Sequence, residues 1–279
     1  MQEQFSRTAL LLGEEGVDCL ADKRVAIFGI GGVGGFVVEA LVRCGIGHFL
    51  LVDNDTVALS NLNRQIIATY DTIGKYKTQV MKERILSINP QAEVETRECF
   101  FLPENADEFD FSSYDYVVDA IDTVTAKLEL VMRAQAAGTP IICSMGTGNK
   151  LDPTKFQIAD IYQTNVCPLA RVMRRELKAR GVKKLKVLYS TEEAMKPKSA
   201  TGIVHANQSE PAEKNLCAEK SEPVEKNLRA EKSEPAEKTV CAQIPTASRR
   251  SVPGSVAFVP SAAGLIIAGE VIRELVGIK

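Results

Sequence analysis

The sequence predicts an α/β protein: a Rossmann-like, mostly parallel, doubly wound sheet with a C-terminal helix and a disordered low-complexity insertion. Three observations predict this fold class. Apolar runs typical of buried strands alternate with helical patterns, a glycine-rich turn joins the first run to a helix, and a 12-residue repeat interrupts the pattern late in the chain. We expect a main domain over residues 1–195, the insertion over 196–250, and a strand and helix over 251–279 that pack back on the core.

The first strand–helix–strand unit is typical of a nucleotide-binding site. Val25–Phe28 is an apolar run, and Phe36–Val42 has helical periodicity. A second apolar run, Phe49–Val52, ends in Asp53. Glycines let the backbone approach phosphate at a helix N-terminus, and a carboxylate after the second strand can bind ribose hydroxyls. The glycines that follow the first run are Gly29, Gly31, Gly32 and Gly34.

The residues after Asp53 favour a triphosphate over a hydride-transfer cofactor. Asp55 comes two residues later, and Asn61–Gln65 supplies amides and an arginine that hydride transfer gives no reason to place there. Using ATP to activate a carboxylate requires backbone amides and cations that hold the phosphates. Arg64 and Lys77 are therefore candidate phosphate ligands.

A candidate metal ligand follows a later strand. Asp122 comes just after the apolar run at 116–119, so it is expected at the carboxyl edge of the sheet, and magnesium prefers carboxylate oxygen. Structural alternatives remain for each candidate. Arg64 could pair with Asp55, and Lys77 could lie on a helix surface. Asp122 could cap the helix that follows it.

The remaining elements follow from apolar periodicity and from glycine or proline breaks. The first 20 residues suggest a helix, with Leu10–Leu12, Val17 and Leu20 available for packing. We read Ala262–Val276 as an amphipathic helix capped by Ser261, since its charges leave it short of the roughly 20 apolar residues of a membrane span. The other predicted elements are helix Lys75–Ile88, strand Ala92–Thr96, strand Tyr116–Asp119, a helix to Ala136 and strand Ile141–Cys143.

Composition narrows the class of protein. The formal net charge is −2, so a nucleic-acid contact would have to come from a local basic patch. Seven cysteines are scattered without a Cys-x-x-Cys pair, which argues against a disulfide framework and a four-cysteine zinc site. The N-terminus lacks the pattern of a secretory signal, and a reducing cytoplasm is the expected setting.

One such basic patch lies between Pro168 and Lys186. Four cations there are spaced three or four residues apart and can share a helix face: Arg171, Arg174, Arg175 and Lys178. A solvated helix face and a contact with a phosphate backbone are both open interpretations.

Residues 209–243 differ in kind from the rest of the chain. They repeat SEPAEKNLCAEK, SEPVEKNLRAEK and SEPAEKTVCAQ, in which Ser, Glu, Pro and Lys dominate. A segment with so few apolar residues cannot bury enough surface to offset its ordering entropy, so we expect a flexible insertion without catalytic residues.

The combined motifs resemble the ubiquitin-activating superfamily of adenylating enzymes. They are the glycine turn, Asp53-x-Asp55, Ser60–Gln65 and Gly74-Lys75-x-Lys77. Four further stretches resemble the tRNA threonylcarbamoyladenosine dehydratases within it: Arg7–Gly13, Met145–Pro153, Cys167–Arg171 and Ser251–Ser255. The resemblance covers about residues 3–195 and 250–279.

The resemblance implies a homodimeric enzyme that uses ATP and magnesium to activate a threonyl carboxylate on tRNA and to cyclise it with loss of AMP. By matching positions, the glycines and Asn61 would belong to the ATP site and Asp53 would hold ribose. Arg64 and Lys77 would bind phosphates, and Asp122 would bind magnesium. Arg7 matches an arginine that reaches the neighbouring subunit's ATP.

The resemblance also suggests a cysteine desulfurase system as partner and, in some members, a monovalent cation (Na⁺ or K⁺). Cys167 could form a thioester, as in some members of the superfamily, or be a small buried thiol. Two alternative functions stay open. One is an adenylyltransferase for the C-terminus of a sulfur-carrier or ubiquitin-like protein; the other is an ATP-sensing scaffold that uses the repeat to tether partners.

Overall fold

A mixed sheet of seven strands forms the centre of the chain, in a computed structural model that describes residues 2–198 and 253–278. The strands are β1 (Arg24–Phe28), β2 (His48–Val52), β3 (Glu93–Arg97), β4 (Tyr116–Asp119), β5 (Ile141–Ser144), β6 (Phe156–Asp160) and β7 (Lys186–Ser190). Their order is β3-β2-β1-β4-β5-β7-β6. Neighbouring strands run parallel except β6, which is antiparallel to β7. The predicted Rossmann-like, mostly parallel fold is confirmed.

Helices cover both faces of this sheet. They are α1 (Ser6–Leu12), α2 (Glu14–Ala21), α3 (Gly34–Cys44), α4 (Lys77–Ile88), α5 (Val124–Ala137), α6 (Pro168–Ala179) and α7 (Phe258–Leu275). Alternate residues of β1 belong to different cores: Val25 and Ile27 pack with α3, α4 and α7, whereas Ala26 and Phe28 pack with α5 and α6. Burial on both faces explains why the central strands are continuous apolar runs.

The N-terminal helix prediction was wrong in one respect. The chain forms two short helices because Gly13, with φ of +78°, breaks the pattern after α1. Val17 and Leu20 are buried as expected, but Leu10 and Leu11 are each 85% exposed. Helix α1 therefore leaves Leu10 and Leu11 exposed, whereas Leu12 packs against the core.

Two expectations for the C-terminal segment were also wrong. Helix α7 begins at Phe258, so Ser261 lies inside it and does not cap it. Proline is tolerated in the first turn of a helix, which is why Pro260 did not delay the start. The expected strand is absent from the described residues between Pro253 and Ala257.

Instead of joining the sheet, this segment is held by two asparagines. The Asn149 amide N–H donates to Gly254 O at 2.8 Å, and its Oδ1 accepts from Gly254 N at 2.6 Å. Asn149 O also accepts from Met195 N at 2.8 Å. Asn63 Nδ2 donates to Ser255 O at 2.9 Å. The segments on either side of residues 199–252 are thus tied to one residue, Asn149.

The chain divides into a unit of Met1–Pro197 with Pro253–Lys279 and a second unit, Lys198–Val252. The second unit lies outside the described residues except for Lys198, and so do the repeats at 209–243. The boundaries and flexibility of the insertion remain predictions. Within the described ranges no helix is both long and apolar enough to cross a membrane.

Candidate active site

A cavity of about 550 Å³ opens where β1, β2 and β4 end. Parallel α/β sheets bind ligands at this edge, where strand order reverses on either side of the first strand. The cavity is lined by most residues that the sequence singled out: Gly29, Gly31, Gly32, Asp53, Asp55, Asn61, Arg64, Lys77 and Asp122. Gly34 and Arg7 do not line it.

The glycines of the turn have different physical roles. Gly29 has φ of +93°, and a Cβ there would lie 2.7 Å from Ala120 O. A Cβ on Gly34 would lie 1.8 Å from Gly29 O, so packing requires glycine at both positions. At Gly31 the nearest protein atom to such a Cβ would be Gln65 Nε2, 4.0 Å away. Packing therefore does not require glycine at Gly31, and its free side faces the cavity.

This turn leads directly into α3, whose first residues have no side-chain cap. The first N–H groups of a helix lack partners within the helix and carry a partial positive charge. Such a terminus at the cavity is suited to phosphate oxygens.

Asp53, which follows the neighbouring strand β2, fixes the backbone of the glycine turn. Its Oδ2 accepts from Ile30 N at 2.7 Å, and its Oδ1 accepts from Asp55 N at 2.9 Å. Both carboxylate oxygens thus fix backbone around the cavity and keep further lone pairs for a ligand. The sequence predicts only ribose binding for Asp53 and carries no signal of this structural role.

Lys77 lies at the start of α4 and is only 5% exposed, so it is not a surface lysine. Its Nζ is 2.6 Å from Asp55 Oδ2 and 3.8 Å from Asp53 Oδ1. The predicted structural alternative, an Asp55–Arg64 pair, is wrong because Lys77 takes that position. Lys77 is a buried cation whose carboxylate partners line the same cavity.

Arg64 has a different environment. Its Nη1 donates to Ser60 O at 2.8 Å and to Asn63 Oδ1 at 2.9 Å, both uncharged acceptors. No carboxylate within the described residues forms an ion pair with it. Partial burial lowers the pKa of its guanidinium. A half-buried arginine without a counterion at a cavity wall favours an anionic ligand. Asn61, also buried, accepts from Ala58 N at 3.1 Å and braces this loop.

Asp122 is exposed at the cavity wall, between β4 and α5. The N-cap of α5 is Thr123, which makes no side-chain capping bond, so the capping alternative for Asp122 is wrong. Its Oδ1 accepts only a 3.5 Å contact from the Thr123 hydroxyl. Across residues 2–198 and 253–278, no lysine or arginine forms an ion pair with this carboxylate.

The predicted basic residues of α6 lie outside the cavity and differ from one another. Arg174 is half-buried, and its Nη1 donates to Thr164 O at 2.8 Å. Arg175 pairs with Glu176 at 2.8 Å. Arg171 and Lys178 are exposed and form no ion pair in the described part of the chain. Two of the four cations are thus available, while Arg174 anchors the helix.

The two remaining candidates are not part of the cavity. Arg7 is exposed on α1, and Cys167 is 2% exposed at the N-cap of α6. Conversely, Phe100 lines the cavity with 61% of its surface exposed, which sequence reasoning missed. The signal was the pair of phenylalanines after β3, of which Phe101 packs against Phe28 and leaves Phe100 outside.

Comparison with known proteins shows the family of this chain. A sequence model of the ThiF family matches residues 5–279. A tRNA threonylcarbamoyladenosine dehydratase of Bacillus subtilis (strain 168) is 38% identical over 276 residues, which are 99% of this chain and 95% of that protein. A sulfur carrier protein adenylyltransferase of Thermus thermophilus is 33% identical over 142 residues, 50% of this chain and 52% of that protein.

Solved structures give the same result. The crystal structure of the E. coli tRNA N6-threonylcarbamoyladenosine dehydratase in complex with AMP has a TM-score of 0.77 and 29% identity, with coverage of 99% of this chain and 94% of that one. Its complex with ATP has a TM-score of 0.75. The chain therefore belongs to the ThiF family and, within it, to the tRNA threonylcarbamoyladenosine dehydratases.

Proposed function

We propose that this protein is an ATP-dependent dehydratase of tRNA. It adenylates the threonyl carboxylate of threonylcarbamoyladenosine and then cyclises the product with release of AMP. The observation that carries the proposal is the half-buried Arg64 guanidinium in the same cavity as the exposed Asp122 carboxylate, neither of which forms an ion pair with a described residue. These residues suit a ligand that combines anionic phosphates with a divalent cation, as ATP does.

The chemistry has two balanced steps. A carboxylate oxygen of the substrate attacks the α-phosphorus of ATP, so a P–O bond forms to the acyl group and pyrophosphate leaves. The substrate's own amide then attacks the acyl carbon, AMP leaves, and the amide proton is released. The nucleoside has lost one water in total. No cysteine or histidine is needed as a nucleophile, which fits the burial of Cys167.

Positioning and electrostatics must supply most of the catalysis in such a transfer. The turn at Gly31 and the start of α3 would bind phosphate oxygens through backbone N–H groups. Arg64 would neutralise phosphate charge, and Lys77 would do so by exchanging one of its carboxylates for phosphate. Asp53 would bind ribose with its remaining lone pairs.

Asp122 fits a role as a magnesium ligand. It is exposed to the cavity and has no competing cation among the described residues. The same residues contain no cluster of three or more acidic, histidine or cysteine side chains that could hold a metal alone. Magnesium is typically bound by one or two carboxylates together with substrate phosphates and water, so one aspartate suffices. Bound there, the ion would neutralise phosphate charge.

The choice of tRNA rests on the near-full-length relatives, with modest support from α6. Arg171 and Lys178 are free to contact an RNA backbone, and Arg175 could exchange Glu176 for phosphate.

A homodimer in which Arg7 reaches the neighbouring ATP site is part of the proposal. It is supported by the exposed Leu10 and Leu11 beside it. A cysteine desulfurase partner and a monovalent cation rest on the family resemblance alone, and a cytoplasmic location on cysteine usage.

The test incubates the protein with ATP, magnesium and threonylcarbamoyl-modified tRNA, followed by mass analysis of the nucleosides. We expect AMP and a nucleoside lighter by one water. Asp122→Ala should abolish turnover with the fold intact, whereas Asp71→Ala, an exposed aspartate outside the cavity, should be active. Unchanged nucleoside mass while ATP binds would refute the proposal. AMP release that requires a sulfur-carrier protein instead of tRNA would favour the adenylyltransferase, whose relative matches only half of the chain.

A further inference from the structure

A buried ion pair lies directly behind the cavity wall that carries Asp122. Lys127 Nζ on α5 is 2.8 Å from Asp119 Oδ2 at the end of β4, and both side chains are fully buried. Neither residue lines the cavity. Removing two charges from water is costly, and apolar side chains of similar volume often stabilise a fold as well or better. Stability alone therefore does not account for the pair.

The pair binds the backbone N–H and the backbone C=O of Ile121, a residue that lines the cavity. Asp119 Oδ1 accepts from Ile121 N at 3.1 Å, and Lys127 Nζ donates to Ile121 O at 2.9 Å. The next residue is Asp122. The amide of Lys127 then donates to Thr123 O at 3.0 Å, which fixes the chain on the other side of Asp122.

The backbone between Asp119 and Thr123 also contacts the glycine turn. Ala120 N donates to Phe28 O at 2.8 Å, and Ala120 O is the atom that leaves room only for glycine at Gly29. A shift of the backbone between Asp119 and Thr123 would therefore move both the turn and the carboxylate.

We propose that Lys127 and Asp119 are positioning residues, which aim the Asp122 carboxylate at the metal–triphosphate through the backbone of Ile121. The inference rests on the proposed function. Among residues 2–198 and 253–278, the exposed Asp122 side chain has only its 3.5 Å contact with the Thr123 hydroxyl, so its direction depends on that backbone. Groups that orient metal ligands typically contribute about 10- to 100-fold to metal affinity or activity.

The test is nucleotide binding by calorimetry, with AMP and with ATP plus magnesium. The variant is the double substitution Asp119→Leu with Lys127→Met, which removes both charges and avoids an unpaired one. We expect it to melt at or near the wild-type temperature and to lose less affinity for AMP than for ATP with magnesium. Its affinity for ATP with magnesium should fall about 10- to 100-fold, and Mn²⁺ binding followed by electron paramagnetic resonance in the presence of ATP should weaken in parallel.

Two further variants separate positioning from stability. Asp119→Asn combined with Lys127→Met keeps an oxygen for Ile121 N–H without leaving an unpaired charge, and it should retain more affinity for ATP with magnesium than Asp119→Leu with Lys127→Met. Leu130 is buried in the same helix α5 and does not line the cavity, so Leu130→Ala should lower the melting temperature without changing the ratio of ATP to AMP affinity.

Wild-type binding of ATP with magnesium by a folded double variant would overturn the inference. So would an equal loss of AMP and ATP binding, or a wild-type protein whose ATP affinity ignores magnesium. If Asp119→Leu with Lys127→Met does not fold, Asp119→Asn with Lys127→Met is compared with Leu130→Ala, and the ratio of ATP to AMP affinity decides in the same way. Failure of the proposed function has a different signature, because the wild type would then bind ATP with magnesium and still leave the tRNA nucleoside unchanged.

Discussion

Substituting alanine at two glycines of one turn should separate folding from ligand binding. In Gly34→Ala the new Cβ would start 1.8 Å from Gly29 O, more than an ångström inside any normal contact. The turn or α3 must shift, and overpacking of this kind costs about 1–3 kcal/mol or more. In Gly31→Ala the nearest protein atom is 4.0 Å away, so no shift is needed. Because φ at Gly31 lies outside the left-handed region, we expect unfolding free energy within about 1 kcal/mol of wild type.

Although Gly31→Ala should hardly change stability, we expect it to weaken ATP binding. Its Cβ would occupy the space in which phosphate must approach the backbone N–H groups. Losing one charge-assisted hydrogen bond costs about 1.5–3 kcal/mol, which corresponds to roughly 10- to 100-fold weaker ATP binding. Thermal melting and calorimetry with ATP measure the two effects on the same samples. A Gly31→Ala protein that binds ATP like wild type, or that melts well below it, would refute this account of the turn.

Three further tests address separate features. Lys77→Met should lower the rate of AMP formation about 100-fold because it removes a buried cation from the cavity, while Lys75→Met, on an exposed neighbour, should not; equal rates would exclude Lys77 from the phosphate site. Arg171→Ala should weaken tRNA binding and reduce its salt slope by about one. In contrast, Arg174→Ala should lower the melting temperature by about 2–4 °C because its bond to a backbone carbonyl is lost. Filter binding and melting curves measure the two effects. Weaker tRNA binding by Arg174→Ala with a lower melting temperature for Arg171→Ala would contradict these roles. Deletion of 209–243 should change the free energy of unfolding by less than about 1 kcal/mol and leave AMP formation intact; loss of activity would show that the repeat has a catalytic role.

The central strands and the cavity could be predicted because their signals are local. Continuous apolar runs such as Tyr116–Asp119 need no partner to be recognised, and the predicted bounds of that strand match those observed. The glycine turn, Asp53 and Asp122 also follow strands directly, and parallel strands bring their carboxyl ends to one edge. The topology then assembles these residues without further information.

Pairings across the fold could not be predicted in this way. Nothing in the spacing distinguishes Lys77 from Arg64 as the partner of Asp55, because the choice depends on where α4 begins in space. Lys127 on α5 is fully buried, but nothing in its sequence neighbourhood distinguishes it from a lysine on a helix surface. Strands β6 and β7 went unpredicted. β7 pairs with β5, a strand distant in the chain, and β6 pairs with β7.

The attachment of two chain segments to Asn149 has a consequence for engineering this protein. Met195 and Gly254 bond to the same residue, so whatever links them begins and ends at nearly one point. The entropy of closing such a loop rises only with the logarithm of its length, about 0.6 kcal/mol per doubling. A fluorescent reporter domain could therefore replace the repeats there. Ser255 is tied to Asn63, next to the candidate phosphate ligand Arg64, so the C-terminal attachment of such a link adjoins the proposed ATP site.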